Sequence, residues 1–206
     1  MIEAVAGPGG TVLTAAMAGG TVAYVDADWL PRGRSGPVPA IVVDVGPAAD
    51  VDAWGSRPLL RLAQDVGAAL ETRPTDCVLV QGVGLVAAEI RRLLADRGVR
   101  PHSSGSARPA AVVDVTGDPG RIVDATRIVD DLGVVVLAGD PLGRRLDLDC
   151  YTDVHARGLT LIGVALPSLE ATADEARRDP GAVVPPAIVR PGESIPDGAL
   201  WYRVEP

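Results

Sequence analysis

The spacing of hydrophobic positions changes along the chain, and the change predicts two kinds of structure. Residues 1–55 contain short β-type runs such as TVAYVDA and AIVVDV between glycines and prolines, without a helical repeat. Farther along, uninterrupted apolar runs alternate with segments whose apolar residues recur every three or four positions. These runs are CVLVQ, AAVVDV, VVVLAG and LTLIGVAL, and they are typical of strands buried on both faces of a parallel sheet.

The segments between the runs have the pattern of amphipathic helices. RPLLRLAQDVGAALE predicts a helix with Pro58 in its first turn, and LVAAEIRRLLADRG predicts a second with Gly98 at its C-terminal cap. RIVDATRIVDDLG predicts a third, and PSLEATADEARRD predicts a surface helix with Ser168 as N-cap. Because strands alternate with helices, we expect an α/β fold class with a doubly wound, mostly parallel sheet and helices on both faces.

One strand-to-helix junction, VLVQGVGLVAAEIRR, has the form of a dinucleotide-binding turn. Gly82 permits the tight turn, Gly84 the close approach of a phosphate and Ala87 the packing of the helix, whose N-terminus offers N–H donors. Tight packing of strand against helix explains the same glycines equally well. The ends of the next two strands should line the same crevice, which makes the other candidate contacts Thr116, Gly117, Gly139 and Asp140.

Three segments in order resemble the cofactor domain of the medium-chain dehydrogenase/reductase (zinc-type alcohol dehydrogenase-like) family. They are TRPTDCVLVQGVGLVAAEIRRLLADRG, AAVVDVTGDPGRIVDATRIVDDLGVVVLAGDP and YTDVHARGLTLIGV. The resemblance implies a Rossmann-like domain at residues 56–166, a bound NAD(P)(H), a GroES-like catalytic domain and a homodimer formed through the sheet edge. Residues 1–55 look like a β-rich remnant of the GroES-like region. Residues 167–206 are expected to add a surface helix and a β segment, so that both termini form a small β-rich subdomain.

Only VRPHSSGSARP separates the helix after the glycine turn from the strand AAVVDVTG. A complete Rossmann domain has a strand ending in an acid, a helix and a further strand at this place. The segment has room for a short strand and a loop, which predicts a reduced adenosine half. In place of the ribose-binding acid it offers hydroxyls and Arg108, which favour the 2′-phosphate of NADP(H). A polar loop over a deletion explains them equally well.

Candidate acid/base groups are few. YVDADW places Tyr24, Asp26 and Asp28 on one face if it is a strand, and neighbouring carboxylates can separate their pKa values to act as acid and base. A solvated strand edge is the favoured alternative. His102 lies where the crevice should open, so it is a candidate for proton transfer, with an exposed loop residue as the alternative.

Composition and charge exclude several classes of function. The net charge of −8 argues against nucleic acid or an anionic membrane as partner. No stretch approaches the length of an apolar membrane span and the N-terminus has no signal-peptide pattern, so a cytoplasmic protein is expected. Cys77 and Cys150 are predicted to be buried thiols. The histidines, His102 and His155, have no acid or thiol at ligand spacing, so no zinc site is expected. Asp153 and His155 would share one side of an extended segment.

Three functions stay open. The first is a zinc-independent, NADP(H)-type oxidoreductase that acts on a small carbonyl or enone metabolite, as the resemblance and the retained glycine turn suggest. The second is a non-redox cyclase, isomerase or lyase of a specialised biosynthetic pathway, which uses the crevice without a dinucleotide. The third is a noncatalytic binding or partner subunit. A small molecule is the expected partner in the first two.

Overall fold

The computed structural model describes residues 51–73, 75–103, 107–139 and 145–165, and the backbone of five further strands. In residues 51–55 and in those five strands, the description is limited to the backbone. The chain divides into two compact units. One comprises residues 1–61 and 166–206, and the other comprises residues 62–165.

The first unit contains a five-stranded sheet that both ends of the chain build. Its strands are β1 (Leu13–Met17), β2 (Thr21–Val25), β3 (Ala40–Asp44), β9 (Ala187–Val189) and β10 (Tyr202–Val204). The order is β3-β2-β1-β10-β9, with antiparallel pairing among β1, β2 and β3 and parallel pairing of β10 with β1 and β9. The predicted β-rich subdomain from the two termini is therefore confirmed.

The second unit is built on a five-stranded parallel sheet in the order β5-β4-β6-β7-β8. Its strands are β4 (Cys77–Gln81), β5 (Arg100–Pro101), β6 (Ala111–Asp114), β7 (Val134–Leu137) and β8 (Thr160–Gly163). The helices along the chain are α1 (Val51–Leu70), α2 (Leu85–Asp96) and α3 (Pro119–Ile128), followed by a π-helical turn (Cys150–His155). This arrangement confirms the predicted α/β, Rossmann-like fold.

Two hydrophobic clusters lie on opposite faces of this sheet. Val113 of β6 belongs to a cluster with Val66 of α1 and Ile90 of α2. Val112, the neighbouring residue on the strand, packs with Ala125 of α3. Successive side chains of a strand point to opposite faces, so β6 is covered by helices on both sides. Complete burial of one such valine contributes about 1.5–3 kcal/mol, and this explains the apolar runs of β6 and β7. Burial on both faces was wrongly expected for β4 and β8, since Val78 is the buried residue of β4 and none of β8 is buried.

Helix α1 begins earlier than the sequence pattern predicts. It starts at Val51, so Pro58 lies inside the helix and not in its first turn. A proline has no N–H, and one intrahelical hydrogen bond is therefore missing at this position. Leu62, Ala63 and Val66 in the second half of the helix are buried in the core of the second unit. Their burial stabilises the helical conformation despite the proline.

The segment DCYTDVH is not extended, which corrects the expectation that Asp153 and His155 share one side of a strand. It forms the π-helical turn, in which the Ala156 N–H donates to the Tyr151 carbonyl over 2.8 Å. The Asp149 carboxylate caps the turn by accepting from the backbone N–H groups of Tyr151 and Thr152.

Both cysteines are free thiols. The prediction of a buried thiol is wrong for Cys150, which is exposed, while Cys77 is half-buried. Within the described ranges, no helix combines the length and the apolar character needed to cross a bilayer. The helix predicted to begin at Ser168 lies outside the described residues.

Arg157 satisfies the backbone at the C-terminal end of α3. Its guanidinium donates to the carbonyls of Thr126 and Val129, and its Nε donates to the Asp131 carboxylate over 2.7 Å. The last carbonyls of a helix have no partner within the helix, and cations at this end also complement the helix dipole. Since α3 leads into β7, this contact stabilises the connection between the helix and the sheet.

We predict that Arg157→Ala lowers the free energy of unfolding by about 1–3 kcal/mol, because buried carbonyls lose charged donors. The control is Arg127→Ala, whose side chain is 60% exposed and lies 3.8 Å from the Asp153 carboxylate. It should change stability by less than about 0.5 kcal/mol. Urea unfolding followed by circular dichroism measures both values. Equal losses in the two variants would contradict the capping role.

Candidate functional site

The carboxyl ends of the central strands meet at one edge of the parallel sheet. Gln81 at the end of β4 pairs with Asp114 at the end of β6, and Asp114 pairs with Leu137 at the end of β7. The loops that follow these three strands therefore begin side by side. Open α/β sheets bind their ligands at this edge, at the point where the strand order reverses. In the order β5-β4-β6 the reversal lies between β4 and β6.

The glycine turn between β4 and α2 adopts a backbone that favours glycine at two positions. Gly82 has φ +112° and Gly84 has φ +94°, both in the left-handed region. A Cβ on Gly82 would lie 2.5 Å from Cγ2 of Val115, so the turn also needs the missing side chain for packing. Gly84 is the N-cap of α2 and gives it no side-chain cap. The turn therefore has the predicted geometry. The first N–H groups of α2 point out of the helix N-terminus, toward the carboxyl edge of the sheet.

The loops after β6 and β7 pack backbone against backbone. A Cβ on Gly139 would lie 2.1 Å from the backbone nitrogen of Gly117, which itself has φ +63°. No residue with a side chain fits at position 139 without displacing this loop. Gly117 and Gly139 therefore lie together at the carboxyl edge, as the sequence predicts.

Asp114 is fully buried at this edge. Its carboxylate accepts hydrogen bonds from the Thr116 hydroxyl (2.7 Å) and from the Gly117 N–H (3.0 Å). Its carbonyl accepts from the N–H groups of Ala138 (2.8 Å) and Gly139 (3.0 Å). Burial raises the pKa of the Asp114 carboxyl, and the two hydrogen bonds to the carboxylate oppose that rise.

These bonds change the role expected for the predicted contact residues. The hydroxyl of Thr116 and the N–H groups of Gly117 and Gly139 all donate to Asp114. These three donors are therefore engaged within the protein, and Thr116 and Gly117 are also buried. The donors that remain for a ligand at this edge are the backbone N–H groups of the glycine turn and of the N-terminus of α2.

Gln81 carries an acceptor without a hydrogen-bond partner. Its Oε1 is buried, and it has no partner among the described residues. Gln81 and Asp114 are neighbours in register, so two polar side chains lie at the ends of two adjacent strands. Sequence reasoning overlooked both residues. The available signal was a single polar residue at the C-terminal end of each apolar run, CVLVQ and AVVD.

Arg91 is a further residue that sequence reasoning missed at this site. Its Nη2 donates to the carbonyls of Val80 (2.9 Å) and Gly82 (2.7 Å), so the guanidinium lies against the glycine turn. Side chains of a helix tilt toward its N-terminus, and a long side chain two turns along α2 therefore reaches the end of β4. The helical periodicity of the sequence places Arg91 on the exposed face of α2, and it therefore does not predict this contact.

The structure confirms the reduced adenosine half. Strand β5 consists of Arg100 and Pro101, which pair with Cys77 and Val78 at the start of β4. The described residues between β5 and β6 contain neither a helix nor a strand. His102 is half-buried, and its N–H donates to the Val78 carbonyl over 3.0 Å. It therefore lies about 10 Å, or three residues, before the end of β4 along the strand direction.

Arg108 lies in the loop that leads from β5 into β6. The Ala110 N–H donates to the Cys77 carbonyl at the start of β4, and the Pro109 carbonyl accepts from the Asp130 N–H. The loop has therefore returned to the amino edge of the sheet before β6 begins. The 2′-phosphate contact expected of Arg108 stays a prediction.

The acid/base candidates of the first unit are only partly described. Tyr24 lies in β2, opposite Thr14 of β1 and Ile41 of β3. Asp26 and Asp28 lie outside the described residues, as does Asp140, so their shared face stays a prediction. In the described part of the chain, no three His, Cys, Asp or Glu side chains come together as a metal-binding group.

Comparisons with known proteins give likeness of fold. No family model matches the chain, and no curated protein matches it. Among solved structures it is similar to TarJ of S. aureus in complex with NADPH, with 12% identity, a TM-score of 0.49, and coverage of 78% of this chain and 62% of that one.

Two other solved structures are similar to the same degree. A putative zinc-binding dehydrogenase from Sinorhizobium meliloti 1021 bound to NADP has 14% identity, a TM-score of 0.48, and coverage of 86% of this chain and 64% of that one. D-arabinose dehydrogenase from Sulfolobus solfataricus has 12% identity, a TM-score of 0.46, and coverage of 86% and 74%. The chain spans less than two thirds of the length of TarJ.

We predict that Asp114 gives the stability a pH dependence of unusual sign. Its folded-state pKa is raised above the ordinary value of 3.8. Its contribution is therefore fully present below that value and is lost as the pH rises through the folded pKa. The free energy of unfolding of wild type minus that of Asp114→Asn should grow as the pH falls from 7 to 4, in urea unfolding at each pH.

Asp149→Asn is the control with the opposite sign. Hydrogen bonds from the Thr152 hydroxyl and from the N–H groups of Thr152 and Tyr151 lower the pKa of the Asp149 carboxyl. Its contribution is present above the ordinary value of 3.8 and is lost as the pH falls through the folded pKa. For Asp149 the same difference should therefore stay nearly level from pH 7 to about 5 and shrink as the pH is lowered further, toward and below about 4. If the differences for the two variants change with pH in the same direction, the raised pKa of Asp114 is contradicted.

Proposed function

We propose that the second unit binds NADP(H) at its carboxyl edge and that the protein is a zinc-independent oxidoreductase acting on a small carbonyl or enone metabolite. The glycine turn between β4 and α2 carries the proposal. Gly82 and Gly84 hold left-handed backbone there, and the N-terminus of α2 has no side-chain cap. A turn of this form before a helix binds a pyrophosphate through backbone N–H groups and the helix dipole.

The residues fit the diphosphate of such a cofactor better than its adenosine. Gly84 leaves room for a diphosphate, and the complete burial of Ala87 keeps α2 close to the sheet. The segment between β5 and β6, residues 102–110, contains no acid for a ribose hydroxyl. This is compatible with a phosphorylated ribose and unfavourable for NAD(H). When bound, the nicotinamide supplies or accepts the hydride.

The residues of the chain have distinct roles in this proposal. The amides of α2 hold the phosphate, while Gly117 and Gly139 pack against the ligand and exclude water from it. The Gln81 Oε1 atom is ready to accept a hydrogen bond. For proton transfer we propose His102 in the second unit, while the acid/base roles of Tyr24, Asp26 and Asp28 stay predictions from the sequence. A carbonyl reduction needs one such donor within hydrogen-bond reach of the substrate oxygen.

A non-redox cyclase, isomerase or lyase is the second candidate, and one observation favours it. Strand β5 has two residues, and no helix or strand follows it among the described residues before β6. The surface on which an adenosine would rest is therefore small. In this case the crevice binds a small substrate directly and needs no dinucleotide.

A homodimer remains part of the proposal. Among the described strands, β8 is one of the two edges of the parallel sheet, and Leu161 on it is 39% exposed. Pairing of β8 with β8 of a second copy would continue the sheet across a two-fold axis.

Titration with NADPH and NADH tests the oxidoreductase proposal. We expect wild type to bind NADPH, followed by nucleotide fluorescence and by calorimetry. Gly84→Ala should weaken binding by about tenfold or more, because a Cβ on the turn blocks the approach of the diphosphate.

Gly98→Ala is the matched control for that variant. Gly98 also has positive φ, at +73°, but nothing lies within 4 Å of its added Cβ. It should lose stability as Gly84→Ala does and bind NADPH like wild type. Absence of binding of either nucleotide to wild type at millimolar concentration would overturn the oxidoreductase proposal and leave the non-redox one.

A further inference from the structure

The outer edge of β4 is open beyond the end of β5. In β4 the carbonyls of Cys77 and Gln81 accept from the N–H groups of Ala110 and Val115, on the β6 side. The carbonyls of alternate residues point to the other side, where Val78 accepts from His102. The next carbonyl on that side belongs to Val80, and β5 has already ended. A strand edge of this kind leaves an unpaired acceptor that another group must satisfy.

Arg91 satisfies that acceptor. Its Nη2 donates both to Val80 and to the Gly82 carbonyl inside the glycine turn. A guanidinium has five N–H donors in a rigid fork, and these two bonds use only Nη2. Among the described residues, Nε and Nη1 of Arg91 have no hydrogen-bond partner. The side chain is therefore held in place by the backbone while part of its fork stays available.

The neighbouring arginine shows a different arrangement. Arg92 forms ion pairs with Glu89 and Asp96, each at 2.7 Å. Arg91 has no carboxylate partner in the part of the chain that the structure describes. In a protein with a net charge of −8, a positioned arginine without a neutralising acid lies against the turn that precedes an uncapped helix N-terminus. Both features favour an anion at this place.

We propose that Arg91 is the anion-binding side chain of the crevice and that one of its remaining donors, on Nε or on Nη1, donates to a phosphate oxygen of the ligand. The inference rests on the proposed function for the identity of the ligand, and it names the recognised group as a phosphate. Because two carbonyls order the guanidinium before binding, little side-chain entropy is lost on contact with the phosphate.

The test compares Arg91→Gln with the adjacent Arg92→Gln by calorimetric titration of the full chain. The probes are NADPH, NADH and inorganic pyrophosphate, each at low and at high ionic strength. Arg91→Gln should weaken NADPH and pyrophosphate binding by about tenfold or more, whereas Arg92→Gln should stay within about twofold of wild type. The salt dependence should also become shallower in Arg91→Gln alone, which a purely structural role would not cause.

Arg91→Lys keeps the proposal testable if the glutamine variant is poorly folded. The ammonium keeps the charge but lacks the fork, so affinity should lie between those of wild type and the glutamine variant. Loss of NADPH affinity with unchanged NADH affinity assigns the contact to the 2′-phosphate. Equal losses for both nucleotides and for pyrophosphate assign it to the diphosphate.

Two results would overturn the inference. One is unchanged affinity for all three probes in folded Arg91→Gln and Arg91→Lys, with wild type binding NADPH, which leaves the proposed function standing. The other is a wild type that binds none of the three, which removes both. If wild type binds pyrophosphate and neither nucleotide, the proposed function fails, and the effect of Arg91→Gln on pyrophosphate alone decides the inference.

Discussion

Burial of β6 on both faces is the constraint on which the second unit depends. All four residues from Ala111 to Asp114 are buried, with helices α1 and α2 over one face and α3 over the other. A strand so enclosed must pair along both edges, because an unpaired buried peptide group is costly. The resulting registers with β4 and β7 bring Gln81, Asp114 and Leu137 level. The position of the crevice follows from this pairing.

The end of β6 also decides which groups a ligand can meet. A fully buried carboxylate needs hydrogen-bond donors, and Asp114 takes them from Thr116 and Gly117, while its carbonyl takes those of Ala138 and Gly139. The hydrogen-bond donors at the start of the loops after β6 and β7 are consequently bound to Asp114. On the opposite side of the switch point lie the glycine turn and Arg91, to which we assign the proposed recognition of an anionic ligand.

Patterns of local origin were readable from the sequence, and contacts of tertiary origin were not. AAVVDV predicted a strand because a strand covered on both faces must be apolar throughout, and the brevity of VRPHSSGSARP predicted a short strand and a loop, where β5 has two residues. Pro58 misplaced the start of α1 because tertiary burial outweighed the local preference of proline. The contacts of Arg91 with β4, and the return of the loop before β6 to the amino edge, depend on chain geometry that no periodicity encodes.

The central claim is that the glycine turn and the start of α2 still bind a phosphorylated nucleotide although the adenosine half is reduced. Hydrogen exchange followed by mass spectrometry, with and without saturating NADPH, tests it most directly, since bound ligands slow exchange at the amides they contact. The account predicts slower exchange in peptides covering residues 82–88. Unchanged exchange in residues 82–88, with protection confined to other segments or absent, would contradict it.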